Sequence, residues 1–468
     1  MPQQSSASTI LKSSDISQGS SLSAAEKLSK LIQYPSISYN DESLYDDSQF
    51  RGVLDELERL FPACHRVMSR EVFSDYAVNY VWQGKNKDLD PAIVIAHYDV
   101  VPVDDESEWN HPPFSGHIDE EGFIWGRGTI DIKNQICAAM EACEKMIEAG
   151  FQPERTIYLA WGGDEEVSGK RGAAVLAREF EKRGIRFAFL MDEGGVVSTG
   201  QFDMVDKPVA LIGVEEKGML NLKLSCRGTT GHSSMPPRHT AIGILSEAIG
   251  RIENNPFPVR LTTSAKGLFT ALAPHSKGIH KIIFNHLGLF GRLLMRFLSA
   301  RDATNAMIRT SQSVTIIKGG YKENVLPDRA ECVINFRILP GETIETVKNR
   351  IEKVVDNPDI TVEIDRGFRP NEPILIRSLD SVFFTNVCDA IGKVFPEAVP
   401  APYLVMGGTD SKNYVDLTDN IFRFSPMQLG KEELKGMHGV NERISTENLE
   451  KMVSFYEELF TLSCGEGK

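Results

Sequence analysis

Histidine and carboxylate side chains recur where short apolar segments of the sequence end. Three such segments are followed at once by these residue types: 92–96 by His97 and Asp99, 156–161 by Asp164, Glu165 and Glu166, and 186–191 by Asp192 and Glu193. A further acid, Asp131, follows the glycine-containing stretch 126–128. Imidazole with carboxylates is a usual ligand set for Zn²⁺. Because neighbouring carboxylates repel each other unless a cation neutralises them, the pattern indicates a divalent metal site.

Two plainer interpretations and one rival motif compete with a metal site. A lone histidine after a strand is more often a surface residue, and three consecutive acids are more often a solvated turn. Because histidine and acidic residues recur at three successive strand ends, both of these plainer interpretations are disfavoured. A phosphate-binding loop between Gly163 and Lys170 is excluded, because the spacing is one residue too long and Arg171 replaces the required Ser or Thr.

The segments that carry these residues alternate with predicted helices. Strands are predicted at 92–96, 156–161 and 186–191, and helices at 24–32, 135–149 and 171–183. This alternation predicts an α/β sheet covered on both faces. In open α/β sheets, ligands bind at the carboxyl ends of the strands, where the histidine and the acids lie.

The pattern changes after about residue 214. The sequence then predicts strand 218–226, helix 241–253, strands 313–318 and 329–338, helix 342–355 and strand 360–364. This order predicts an antiparallel α+β (βαββαβ) module inserted into a mixed-sheet α/β domain. The predicted domains are a disordered tail at 1–22, a catalytic domain at 23–214 and 369–468, and a lid and dimerisation domain at 215–368.

The composition of the chain disfavours several classes of function. The 468 residues include 51 Lys and Arg against 65 Asp and Glu, and the net charge of −14 disfavours binding to nucleic acid. No apolar run is long enough for a transmembrane helix, and no secretory signal is visible. The seven cysteines are an odd number without a CxxC pair, which predicts reduced thiols and a cytoplasmic location.

Many short motifs occur in one order along the chain: HYDVVPV (97–103), GRGTIDIK (126–133), GGDEEVSGKRGA (162–173), DEGG (192–195), GHSSMPP (231–237), TNAMIRTS (304–311), NFRILPG (335–341), GGTDS (407–411) and HGVNE (438–442). Together they resemble the di-zinc aminoacylase and carboxypeptidase family of metallopeptidases. Within it they resemble the branch that contains Gly-Xaa carboxypeptidase and N-fatty-acyl-amino acid synthase/hydrolase. The resemblance implies two Zn²⁺ per subunit, with Co²⁺ or Mn²⁺ as substitutes.

The resemblance also implies a role for each metal-site residue. The implied metal ligands are His97, Asp131, Glu166, Asp192 and His438. Asp131 would bridge the two ions, Asp99 would orient the imidazole of His97, and Glu193 is a rival to Asp192. Two Zn²⁺ are neutralised by the three carboxylates and one bridging hydroxide, which leaves Glu165 as the general base.

Further residues are implied to contact the substrate. His232 would donate to the oxyanion from across a dimer, and Asn305 would add a contact from the lid. Arg337 would clamp a free carboxylate, while Gly408 and Thr409 would line the pocket. For His232 and Arg337 the plain alternatives are a turn residue and an exposed strand residue.

The resemblance predicts a hydrolase that cleaves the amide bond of N-acyl amino acids or Gly-Xaa-type dipeptides. A bridging hydroxide would attack the carbonyl, with Glu165 as general base. The alternative is a catalytically silent dimeric protein of the same fold that binds metal or an amino acid.

One segment is not explained by the motifs. Residues 279–298 place five apolar side chains on one helical face: Ile283, Leu287, Phe290, Leu294 and Leu298. The alternatives are a packed lid helix, a wall for a long acyl chain, or a helix on a membrane surface. Arg292 and Arg296 on the other side fit either of the last two. We expect that this face sets the acyl-chain length.

Overall fold

The computed structural model describes residues 22–365, 367, 369–376 and 379–467. The predicted disordered tail lies outside these residues except for Leu22. The chain forms two compact units, Met1–Arg178 with Glu432–Lys468, and Glu179–Lys431. The predicted boundaries at 214 and 369 both fall within the second unit, and the assignment of 215–368 as a lid stays a prediction.

Helices and strands are distributed along the whole of the described chain. The helices are α1 Ala24–Ile32, α2 Asp47–Leu60, α3 Pro62–Val67, α4 Lys133–Glu148, α5 Ala173–Lys182, α6 Ala241–Glu253, α7 Thr263–Leu272, α8 Gly278–Asn285, α9 Leu287–Leu298, α10 Asp302–Ala306, α11 Ile344–Val355, α12 Val382–Val394, α13 Glu433–Gly436 and α14 Thr446–Cys464. The strands are β1 Ser69–Ser74, β2 Ala77–Trp82, β3 Ala92–His97, β4 Phe123–Trp125, β5 Ile157–Gly162, β6 Phe189–Ser198, β7 Val209–Glu216, β8 Gly218–Arg227, β9 Gly231–His232, β10 Ser311–Gly319, β11 Val325–Leu326, β12 Arg329–Ile338, β13 Ile360–Ile364, β14 Val399–Val405, β15 Ile421–Leu429 and β16 Arg443–Ser445.

Four strands of the first unit lie side by side in the order β1, β2, β5, β3. β2 is antiparallel to β1 and β5, whereas β3 is parallel to β5, with His97 opposite Gly162. The two parallel strands therefore end at the same level, which brings their following loops together. Helix α4 packs against β3, α1, α3 and α14, and most of its residues are buried as a result.

The second unit contains the strands β6, β15, β7 and β14 in that order. β15 runs parallel to β6, and β14 runs parallel to β7, while β15 is antiparallel to β7. The mixture of parallel and antiparallel neighbours is the mixed α/β fold that the alternation of strands and helices predicts.

A second sheet of this unit is antiparallel, in the order β10, β12, β8, β13. β8 alternates between buried and half-buried residues, and Leu220, Leu222 and Leu224 face a core shared with α6 and α11. The predicted order of strand, helix, two strands, helix and strand is present. The short strands β9 and β11 pair next to it.

Residues 279–298 fold as two helices, α8 and α9, which meet at His286. Ile283 and Leu294 are buried in a core with side chains of α7, β7 and β14, and Leu287, Phe290 and Leu298 pack against that core. Ile283 and Leu294 are buried and the other three side chains are half-buried, so this face packs against the protein. That it sets the acyl-chain length stays a prediction. Of the three alternatives for this face, the packed helix is the one observed.

No helix in the described ranges combines the length and the apolar character needed to cross a membrane.

Candidate metal centre

The carboxyl end of β3 supplies the first part of the site. His97 is the last residue of the strand and is buried. Its Nδ1 lies 3.1 Å from the backbone oxygen of Asp99 and 3.3 Å from Asp99 Oδ1. Its Nε2 lies 3.2 Å from Asp131 Oδ1. An Nδ1–H that donates to Asp99 leaves the lone pair of Nε2 available to a metal ion.

Asp99 links β3 to the acidic turn after β5. Its carboxylate accepts the N–H groups of Glu165 and Glu166 at 3.1 and 3.2 Å, and the hydroxyl of Ser38 donates to it at 2.7 Å. Asp99 is fully buried. The predicted role of orienting His97 is thus joined by a second one, because the same carboxylate fixes the backbone of the two adjacent glutamates.

The three consecutive acids of that turn have different environments. Asp164 accepts the N–H groups of Arg171 and Gly172, both at 2.7 Å, so it holds the loop together. Glu165 and Glu166 begin a short 3-10 turn and are only half-buried. Glu165 and Glu166, rather than Asp164, are therefore the acids whose side chains can bind a metal ion or transfer a proton.

Asp131 is positioned by a residue that the sequence analysis did not single out. The carboxylate of Glu442 accepts the N–H groups of Gly128, Ile130 and Asp131 at 3.0, 2.7 and 3.2 Å. Arg127 Nη1 donates to it at 2.7 Å. Burial raises the pKa of Glu442 to about 7, against the opposing effect of Arg127. Its place in HGVNE, the motif that also contains His438, is the signal that could have found it.

Four predicted ligands of the first unit come together: His97, Asp131, Glu166 and His438. His438 Nε2 lies 2.9 Å from Asp131 Oδ2 and 3.3 Å from Glu166 Oε1. Ligand atoms of His97, Asp131 and Glu166 all lie within 4.8 Å of one another. The backbone of His438 is in the left-handed region, with φ of 56°. Non-glycine residues hold such conformations mainly where the surrounding structure demands them.

The electrostatics of this group fit a cation. Asp131 Oδ1 and Glu166 Oε1 are buried, and imidazole Nε2 atoms of His97 and His438 lie 3.2 and 3.3 Å from them. Hydrogen bonds to Asp131 and then to Glu166 raise the pKa of His438 to about 10. Burial raises the pKa of Asp131, but the hydrogen bonds with His438 and His97 outweigh it and leave the pKa below its usual range. Two imidazoles with two carboxylates are a donor set suited to Zn²⁺ and similar ions.

The second unit holds Asp192, the fifth predicted ligand, in β6. Asp192 Oδ1 accepts the N–H of Glu193 at 2.8 Å, and Oδ2 accepts the N–H of Ser411 at 2.9 Å. Burial raises the pKa of Asp192. Its rival Glu193 is half-buried. The choice between the two stays a prediction.

Thr409 lies in the same network of the second unit. Its hydroxyl donates to Glu216 Oε2 at 3.3 Å and lies 2.6 Å from the hydroxyl of Ser411. Glu216 pairs with Arg423 at 2.7 Å, and both side chains are completely buried. This pair is not among the residues predicted from the sequence, although a charged residue within an otherwise apolar strand is a signal of it.

The other predicted substrate residues lie on separate elements of the second unit. His232 on β9 is exposed, and its Nδ1 lies 2.8 Å from the hydroxyl of Ser234. Asn305 on α10 and Arg337 on β12 are half-buried, and burial lowers the pKa of Arg337. Gly408, in the loop after β14, is exposed. The roles of these four residues in substrate binding stay predictions.

The fold and this site define a metallohydrolase of the peptidase class, and similar proteins agree. The chain is 35% identical over 444 residues to the probable carboxypeptidase S-like 2 of Dictyostelium discoideum, covering 94% of this chain and 85% of that one. It is 36% identical over 433 residues to the N-fatty-acyl-amino acid synthase/hydrolase PM20D1.1 of Danio rerio, covering 92% and 83%.

A solved structure and a family model complete the comparison. The M20 family metallo-carboxypeptidase Sso-CP2 of Sulfolobus solfataricus has the same fold, with a TM-score of 0.67, 20% identity and coverage of 94% of this chain and 98% of that one. Residues 93–461 match the model of peptidase family M20/M25/M40. The chain belongs to this family, and the prediction of a metallopeptidase or amidohydrolase is confirmed.

Proposed function

We propose that the chain hydrolyses the amide bond of N-acyl amino acids or Gly-Xaa-type dipeptides with two Zn²⁺ ions per subunit. The observation that carries this proposal is the group of His97, Asp131, Glu166 and His438. Asp131 Oδ1 and Glu166 Oε1 are buried and face imidazole nitrogens at 3.2 and 3.3 Å, and the contacts of His438 with the two carboxylates raise its pKa and so favour a proton on its ring. Divalent ions would replace that proton and satisfy the oxygens.

We assign Asp131 to both ions, because its two carboxylate oxygens face different imidazoles. Oδ1 faces His97 and Oδ2 faces His438. Glu166 lies beside His438 and would share its ion. Asp192 completes the ligand set that the sequence predicts. Ions bound here supply Lewis acidity toward the carbonyl and lower the pKa of water.

Glu165 is the residue left to move a proton. Its backbone N–H is held by Asp99, and its neighbour Glu166 faces His438, so two adjacent carboxylates can serve different purposes. Glu165 would take a proton onto a carboxylate oxygen and pass it to the leaving amine nitrogen.

The substrate assignment rests on two supports. Relatives at 35–36% identity over more than four fifths of their length carry the names carboxypeptidase S-like and N-fatty-acyl-amino acid synthase/hydrolase. Arg337 is a guanidinium that burial makes costly to leave without an anion, which suits a substrate with a free carboxylate. His232, Asn305, Gly408 and Thr409 would complete this small-molecule site.

The proposal includes a homodimer formed through the 215–368 module, which would let His232 serve the partner's site. It also includes a cytoplasmic location. The support for the location is chemical, because all seven cysteines are free thiols, as a reducing compartment maintains them.

The deciding experiment combines turnover with metal content. The wild type, Glu165→Gln and the control Glu148→Gln, an exposed acid of α4, would each be loaded with Zn²⁺, Mn²⁺ or Co²⁺. Each would then be given N-acyl amino acids of increasing acyl length and Gly-Xaa dipeptides. We expect Glu165→Gln to keep its metal and lose about 10²–10⁴-fold in kcat, as removal of a general base does. We expect the control to match the wild type.

Two outcomes would contradict the proposal. Near-normal turnover by a metal-loaded Glu165→Gln protein would reject the general base. A wild type that binds metal but turns over no compound of either class would instead support the catalytically silent binding protein.

A further inference from the structure

Helices α8 and α9 carry a second apolar face besides the one that packs into the core. We call it the outer face, and its residues are Ile279, Ile282, Leu289, Leu293 and Phe297. Their exposed fractions are 64, 55, 77, 42 and 64%. Exposed apolar residues that are scattered singly need no explanation, but five of them within two consecutive helices indicate a binding surface.

Three residues of the outer face form a stripe along α9. Leu289, Leu293 and Phe297 follow one another at every fourth position of α9, so they lie along one side of the helix. The buried Leu294 lies toward the core instead. The outer face is therefore not a by-product of poor packing, because the same helices have a separate face that packs well.

The segment that carries the outer face is basic. Residues 277–301 contain five Lys and Arg and no Asp or Glu, although the whole chain has a net charge of −14. Lys277 pairs with Asp206. The remaining four, Lys281, Arg292, Arg296 and Arg301, are exposed and make no ion pair within the described ranges. Arg292 and Arg296 lie three and seven positions after Leu289, directly beside the apolar stripe.

We propose that the outer face binds the surface of an anionic lipid bilayer, with α8 and α9 lying along it. Apolar side chains flanked by basic ones are the composition of helices that bind at the membrane interface. Anionic headgroups would neutralise the basic side chains, which the rest of this acidic chain leaves without partners. A span is excluded for α9, whose 12 residues cover about 18 Å of a hydrocarbon core of about 30 Å.

A second copy of the chain is a poorer occupant. In a two-fold interface the same patch meets itself, so Arg292 and Arg296 of both copies would lie in one interface. Like charges brought together in this way repel each other, whereas phosphate and carboxylate headgroups attract them.

The test is co-sedimentation of the full chain with lipid vesicles. Vesicles of phosphatidylcholine alone would be compared with vesicles that also contain phosphatidylserine, at low and high salt. We expect binding to the anionic vesicles, weakened by salt. Leu289→Ser with Phe297→Ser should bind at least about tenfold more weakly, because several buried CH₂ groups are lost from the contact. Arg292→Glu with Arg296→Glu should lose a similar factor.

Two matched controls separate the outer face from exposed residues in general. Leu44→Ser with Leu375→Ser removes leucines that are 58 and 57% exposed elsewhere. Lys87→Glu with Lys353→Glu reverses exposed charges elsewhere. Both should bind like the wild type. Circular dichroism of every variant should show the wild-type fold, since none of these side chains is buried.

The proposal is overturned if the wild type binds no anionic vesicle, or binds both vesicle types equally. It is also overturned if the outer-face variants and the controls bind alike. A wild-type dimer that Leu289→Ser with Phe297→Ser converts to a monomer, without any vesicle binding, would assign the face to self-association instead.

Discussion

Each unit contains a group of buried acidic side chains, and the two groups differ in what neutralises them. In the first unit, Asp131 Oδ1 and Glu166 Oε1 are buried and face the imidazoles of His97 and His438. In the second unit, Glu216 pairs at 2.7 Å with the fully buried Arg423. The group in the first unit needs a bound cation or a protonated histidine to neutralise its carboxylates. The group in the second unit is neutralised by the permanently charged Arg423.

This difference distinguishes a candidate metal site from a structural ion pair. Both groups lie among strands, and burial raises the pKa of Glu166 and of Glu216 alike. What separates them is the partner. Arginine stays charged at any ordinary pH, while histidine can release its proton to make room for a metal ion. Glu216 Oε1 is buried and makes no hydrogen bond within the described part of the chain, so the charge of the partner distinguishes the two groups, rather than the count of hydrogen bonds.

The largest expected effect comes from removing a histidine of the metal site in the first unit. His438→Ala should lower the metal content from two ions to about one per chain, because the imidazole of His438 contacts both Glu166 and Asp131. Elemental analysis after gel filtration measures this, with the exposed His275→Ala as the control. Two tightly bound ions in the His438 variant would reject it as a ligand.

The next largest effect is expected from removing the cation of the Glu216–Arg423 pair in the second unit. Arg423→Met should lower the free energy of unfolding by about 3–5 kcal/mol, because it leaves Glu216 buried without its counter-charge. Arg423→Met combined with Glu216→Gln should recover much of that loss, since Glu216 no longer carries a charge that needs Arg423. Urea unfolding measures both variants. A loss below about 1 kcal/mol for the single variant would mean that Arg423 does not neutralise Glu216.

Metal removal sharpens the contrast between the groups. A chelator should lower the free energy of unfolding by about 3 kcal/mol if the metal had been present at about one hundred times its Kd. Asp131→Asn should show no such difference between chelated and metal-supplied protein. An equal response of the two proteins would place the stabilising ion elsewhere.

The smallest expected effect concerns the support of the first group. Asp99→Asn should weaken metal binding about 10–100-fold, because the partner of a metal-binding histidine sets its orientation and tautomer. The exposed Asp104→Asn serves as the matched control. Isothermal titration with Zn²⁺ measures both, and unchanged affinity in Asp99→Asn would mean that the carboxylate only holds the acidic turn.

Several elements could be predicted from the sequence because their patterns are local. α1, α6, β12 and β13 begin and end at the predicted residues. β6 was predicted at 186–191, but it begins at Phe189 and extends to Ser198. The strand continues through Gly195, where a Cβ would lie 1.7 Å from the backbone oxygen of Leu211. The close approach of β7 is what requires glycine there, and a single sequence does not contain that information.

The segment 279–298 is a second case in which the sequence predicts an element but not its contacts. Its periodicity predicts helices, and the structure has them. Both sides of α9 carry apolar residues, so periodicity alone does not say which side is covered. Contacts with α7, β7 and β14 cover Leu294 and leave Phe297 exposed.

The sequence by itself determined the chemistry of this protein, because the residue types that bind metal follow strands whose apolar character is visible locally. The motifs also determined the family, which the comparisons confirm. Only the tertiary structure decided which groups meet. Asp131 receives its backbone support from Glu442, 311 residues away, and Asp99 joins two loops that follow different strands. Hydrogen bonds act over about 3 Å, so they depend on packing that brings distant segments together, and no local pattern records that packing.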